Sequence, residues 1–162
     1  MKIKYIIPLF IFIPVVLIQL TLVPFISIQD VIPDLLLIAV VYFSILYGQS
    51  FGTITGASYG LIYDLISGNL IGSNMLSKTV AGFIAGYFSG ETKRDKYLYT
   101  YSFTIVVFIS ALIDTMIFSF FSVIDFNTNF LQALFNHALM PSIYTSLVSI
   151  LIIVVPYKRA FD

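Results

Sequence analysis

Residues 48–90 read GQSFGTITGASYGLIYDLISGNLIGSNMLSKTVAGFIAGYFSG. Glycine recurs every fourth residue at Gly48, Gly52, Gly56 and Gly60, and Asp64 takes the next step. The second half carries Lys78, Gly82, Gly86 and Gly90 at the same spacing. Glycine at every fourth position makes a flat stripe on an apolar helix and lets two backbones approach closely where lipid supplies no hydrophobic drive. On a helix with 3.6 residues per turn such a stripe drifts by about 40° per step, so the helices cross obliquely. The stripes match each other in an antiparallel hairpin turning around Ile71. That register sets Gly60 against Gly82, Gly56 against Gly86, Gly52 against Gly90, and Asp64 against Lys78. The expectation is a glycine-lined helix pair closed at its outer end by an Asp64–Lys78 ion pair.

Composition says what surrounds this hairpin. Of 162 residues, 59% are hydrophobic and 10% charged. A soluble domain carries roughly 25% charged residues, so this chain lacks the charge to clothe a water-facing surface. Lipid is its natural solvent, and the length suits a single integral membrane domain over residues 1–162. Net charge is zero and no aromatic–basic surface is evident, which points away from nucleic acid. There is no cysteine and one histidine, His137, so thiolate sites and His-pair zinc motifs are excluded.

Spans need about 20 apolar residues to cross roughly 30 Å of hydrocarbon. Six candidates emerge, at about 5–26, 31–47, 51–66, 76–88, 99–121 and 138–155. The first follows Lys2 and Lys4 and looks like a signal peptide, but no small-x-small cleavage site follows it. It is read as a retained span. Pro8, Pro14 and Pro24 interrupt it, with a kink expected near Pro14, and Pro141 sits early in the last span.

Charge placement tests the count. Lys and Arg gather at Lys2 and Lys4, at Lys93, Arg94 and Lys96, and at Lys158 and Arg159. Cytoplasmic segments carry the excess of positive residues, and six spans put all three groups on one side. The segments around Asp30, Gly68–Asn74 and Asp125–Asn136 hold no Lys or Arg and fall on the other. The expected architecture is an all-α bundle of six transmembrane helices with both termini in the cytoplasm. Residues 126–137, alternating aromatic and amide side chains, suit either an interfacial amphipathic turn or the plain start of the last span.

Ionisable residues inside spans are costly and face the protein interior. Asp64, Lys78 and Asp114 are those residues, and all fall toward the outer side, where Asp34 and His137 are close enough in sequence placement to join them. Two readings stand: a pocket for a ligand or ion, or charges that neutralise one another and hold the bundle. Catalysis finds no support, since no Ser/His/Asp set, GxSxG or metal-ligand spacing occurs, and the glycine spacing is not that of a phosphate cradle. No cofactor or metal is expected.

Pro33-Asp34-Leu35-Leu36-Leu37, then Gly52-x-x-x-Gly56, Gly60-Leu61-Ile62-Tyr63-Asp64-Leu65 and Gly68-x-x-x-Gly72, resemble the bacterial rod shape-determining MreD family. The motifs cover roughly residues 30–90, and the whole chain is similar in size and span number. The resemblance implies a bacterial inner-membrane scaffold without catalytic chemistry. It would contact MreC and link the MreB filament to RodA and a penicillin-binding transpeptidase in lateral peptidoglycan synthesis. It also implies recurrent polar positions at Pro33, Asp34 and Asp64. The family is similar in turn to the substrate-binding S components of vitamin transporters. The alternative expectation is therefore a transporter subunit that takes a small polar ligand near Asp64, Lys78 and Asp114. Homo-oligomerisation is left open.

Overall fold

The computed structural model describes residues 3–28, 31–68, 70–90, 97–98, 101–122 and 138–154. They include six α-helices: α1 Ile3–Thr21, α2 Leu35–Tyr47, α3 Gln49–Ser67, α4 Ser73–Gly86, α5 Ser102–Ser122 and α6 Met140–Val154, with a 3-10 turn at Val23–Ile26. No strand occurs among the described residues; Ile28 and Val31 make one isolated bridge. Pro8 and Pro14 both lie inside the continuous α1, and Pro24 starts the 3-10 turn. The three basic groups that orient the expected topology lie outside the described side chains, as do Asp30, His137 and the 126–137 segment.

Helix α2 is the axis of the bundle. Its sequence LLLIAVVYFSILY is apolar on every side, which marks a helix buried all round. Leu37, Ile38, Val41 and Ile45 pack on Ala81 and Ala85 of α4 and on Phe103, Val106, Val107 and Ala111 of α5. The opposite face, Leu36 and Val40, packs on Phe12 and Val16 of α1 and Tyr59 of α3. The Tyr59 hydroxyl donates to the Pro8 carbonyl that closes this second cluster.

The outside of the bundle is apolar too. Phe10 is 71% exposed and Phe120 77%, and Ile13, Leu17, Ile54, Leu65, Ile105, Leu147 and Leu151 also face outward. Contiguous apolar surface spread over so many helices exceeds what a water-soluble monomer shows. One helix among the described residues, Ser102–Phe121, is long and apolar enough to cross a membrane; Phe10–Thr21, Leu35–Tyr47 and Met140–Leu151 are shorter apolar helices. At about 1.5 Å per residue, the 13 residues of α2 reach only about 20 Å.

Helices α2 and α3 are separated by Gly48 alone. Between α3 and α4 the chain turns through Gly68 (φ +72°) and Gly72 (φ +101°), left-handed conformations that favour glycine. This turn sets the register of the α3–α4 pair, and the register differs from the expected one. A Cβ added at Gly52 would come within 3.0 Å of Gly82 backbone, at Gly56 of Lys78 backbone, at Gly60 of Asn74 backbone, and at Gly86 of Gln49 backbone. Gly60 thus opposes a residue eight positions earlier on α4 than Gly82, a slide of roughly 12 Å along the helix. Gly90 lies beyond the end of α4 at Gly86. The reason is that a glycine admits the backbone of any residue, so matching glycine to glycine does not locate the turn. The two left-handed glycines do.

Candidate functional site

Three of the described charged side chains, Asp34, Lys78 and Asp114, meet around the head of α2. Asp34 is extended and Leu35 begins the helix. The Asp34 Oδ1 accepts from the Leu37 N–H at 2.8 Å, an N-cap that satisfies one of the amides a helix start leaves unpaired. Two other helices hold this corner. Gln19 of α1 donates to the Pro33 carbonyl at 3.1 Å and accepts from the Leu35 N–H at 2.9 Å. Thr145 of α6 accepts from the Asp34 N–H at 3.0 Å.

The other Asp34 oxygen meets Lys78. The Lys78 ammonium lies 2.5 Å from Asp34 Oδ2 and 3.3 Å from Asp114 Oδ2 of α5. Lys78 is 1% exposed and Asp114 4%, whereas the Asp34 side chain keeps 27% of its surface. An ammonium taken from water costs several kcal/mol unless paired, and here two carboxylates flank it. The pairing joins α2, α4 and α5, and Gln19 and Thr145 tie α1 and α6 to the same corner.

Asp64 is not part of this ion pairing. Its Oδ1 accepts from Asn74 Nδ2 at 2.7 Å and the Asn74 N–H at 3.3 Å, and its Oδ2 from the N–H groups of Gly72 at 2.9 Å and Met75 at 3.2 Å. The carboxylate caps α4 from the last turn of α3. The expected Asp64–Lys78 pair is therefore corrected: in the observed register the α4 N-terminus, not Lys78, reaches Asp64. Free helix-start amides and the positive end of the helix dipole give a carboxylate a full set of donors there.

Asp114 is served less well. Its Oδ1 has no hydrogen-bond partner among the described residues, and neither does Ser110 Oγ one turn earlier on α5. Both groups are buried. Of the residues singled out in the sequence, Asp34, Lys78 and Asp114 come together, Asp64 caps α4 instead, and His137 lies outside the described residues. Gln19, Ser110 and Thr145 escaped the sequence reading. Gln19 is the one amide of α1, while Ser110 and Thr145 are single hydroxyls among several on α5 and α6, so little in the sequence marks them out.

A family model described as rod shape-determining protein MreD matches residues 1–157. No curated protein and no solved structure matches the chain.

Proposed function

Because the chain belongs to the MreD family of rod shape-determining proteins, we propose that it is a non-enzymatic scaffold of the bacterial cell-elongation complex in the cytoplasmic membrane. The match over residues 1–157 carries this reading. In it, all six helices span the bilayer and both termini face the cytoplasm, as the Lys and Arg groups favour. The short α2 fits because it is enclosed by other helices and owes lipid no full-length face. The outer apolar surface meets lipid and partner helices. An MreC-like protein is the direct partner, through which MreB, RodA and a penicillin-binding transpeptidase are reached.

Depletion of the protein in its own bacterium tests this. Rods should round up, and a tagged copy should copurify with the MreC-like protein. Cells that keep their shape, with no such copurification, would overturn the reading.

The partly satisfied Asp114 favours a second reading, a membrane subunit that binds a small polar ligand for transport. It predicts intact shape on depletion, and loss of uptake in Lys78→Met without loss of the protein from the membrane.

A further inference from the structure

Asp34, Lys78 and Asp114 carry two negative charges and one positive, so this cluster has a net charge of −1. Asp34 divides its oxygens between a helix cap and the ammonium, and its side chain stays partly exposed. Asp114 is dry, makes the longer contact with Lys78, and keeps one oxygen without a donor. Ser110 places a second unpartnered oxygen on the same helix, four residues away, where i and i+4 side chains are neighbours. Native interiors rarely leave buried polar atoms unpaired, and here two such atoms accompany an uncompensated charge. A water molecule donating to both oxygens would satisfy them and leave the charge in place. A cation answers both.

We propose that Asp114 Oδ1 and Ser110 Oγ form a binding site for one monovalent cation, a sodium ion or a proton, that renders the Asp34–Lys78–Asp114 cluster neutral. A transition-metal site is disfavoured, since no group of three or more His, Cys, Asp or Glu able to hold a metal ion occurs among the described residues. The groups facing Asp114 are few. Lys78 and Ser77 come from α4 and Asp34 from the head of α2, and Tyr63 of α3 interacts with Asp34, Lys78 and Asp64. Helix α6 brings the hydroxyls of Ser142, bonded to Thr115, and Thr145. No second described cation competes for Asp114. The inference rests on this geometry and not on the scaffold reading.

The test uses the purified full-length protein in detergent. Its melting temperature is followed in sodium chloride against choline chloride at equal ionic strength, and across a pH series in choline chloride. Wild type should melt several degrees higher with sodium or with acidification, since a ligand held more tightly by the folded state than by the unfolded chain stabilises the fold. A response to sodium identifies the ion, and a response to pH alone identifies the proton. Either response should vanish in Asp114→Asn, weaken in Ser110→Ala and persist in Asp64→Asn. Wild type indifferent to both, or Asp114→Asn responding as wild type does, would overturn the proposal. Should Asp114→Asn fail to fold, wild type alone decides. It should bind radioactive sodium, or show the infrared band of a buried protonated carboxyl that shifts with isotope-labelled aspartate. Neither signal in the wild type also overturns it.

Discussion

Asp64 and Asp114 are both buried aspartates on helices packed against α4, yet they are treated very differently. Asp64 takes four N–H donors and has nothing left to satisfy. Asp114 shares a lysine with Asp34 at the longer distance and keeps one oxygen with no hydrogen-bond partner among the described residues. The contrast separates two uses of a buried charge. A saturated carboxylate is a fastener, and its worth is the helix start it completes. An undersupplied one leaves both charge and hydrogen-bonding capacity for something else. In the observed register Lys78 lies against Gly56, about two turns along α3 from Asp64, and the α4 N-terminus is what Asp64 meets.

The largest effect should come from Lys78→Met. It strands Asp34 and Asp114 as facing carboxylates, and breaking a buried pair costs about 3–5 kcal/mol. Protein abundance in the membrane and melting temperature report it. Adding Asp34→Asn and Asp114→Asn to Lys78→Met should restore much of the loss, while adding Asp64→Asn should restore none. The opposite pattern would return Asp64 to the ion-pair role.

Next comes the α3–α4 seam. Gly56→Leu drives a side chain into the Lys78 backbone, which cannot yield as a flexible side chain does. A loss of about 1–3 kcal/mol or more is expected, read as a lowered melting temperature. Gly60→Ala should lower the melting temperature in the same way, since its Cβ would meet the Asn74 backbone in this register, whereas a register opposing Gly60 to Gly82 would tolerate it better.

Asp64→Ala removes the cap on α4 and leaves its amides without acceptors, at a cost of roughly 1–2 kcal/mol. Asp64→Asn should cost more than Asp114→Asn in the same thermal assay, because an amide nitrogen turned toward helix N–H groups repels them, while the Asp114 carboxylate caps no helix start among the described residues. If the two asparagine variants rank the other way, the distinction between fastener and open site fails. The smallest effect is expected from Gln19→Leu, which forfeits two hydrogen bonds at the Pro33–Leu35 corner, for about 1 kcal/mol.

Much of the bundle was legible in the residues. Apolar runs placed six helices within a few residues of where they lie, because burial in lipid or protein demands long apolar segments whatever the neighbours are. The α4 segment was expected at 76–88 and lies at Ser73–Gly86, since the amides capped by Asp64 pull the helix start back to Ser73. Asp34, Lys78 and Asp114 were visible as charges in apolar surroundings. The expected group was Asp64, Lys78 and Asp114 with Asp34 at its edge, and the structure puts Asp34 where Asp64 was expected. Gln19 and Thr145 went unnoticed because one amide or hydroxyl in an apolar helix is common, and only proximity to the Pro33–Leu35 corner gives it a task.

The amino-acid sequence by itself determined that this is an all-helical chain with an apolar exterior, that α3 and α4 approach closely, and that a handful of charges must find partners inside. Those are matters of composition and spacing, which each segment carries alone. Only the tertiary structure decided that Asp64 caps a helix while Lys78 bridges Asp34 and Asp114. Pairing depends on how far α3 and α4 slide past each other. A stripe of glycines permits many such positions, and the left-handed turn at Gly68 and Gly72, with the carboxylate seated on the α4 amides, selects one.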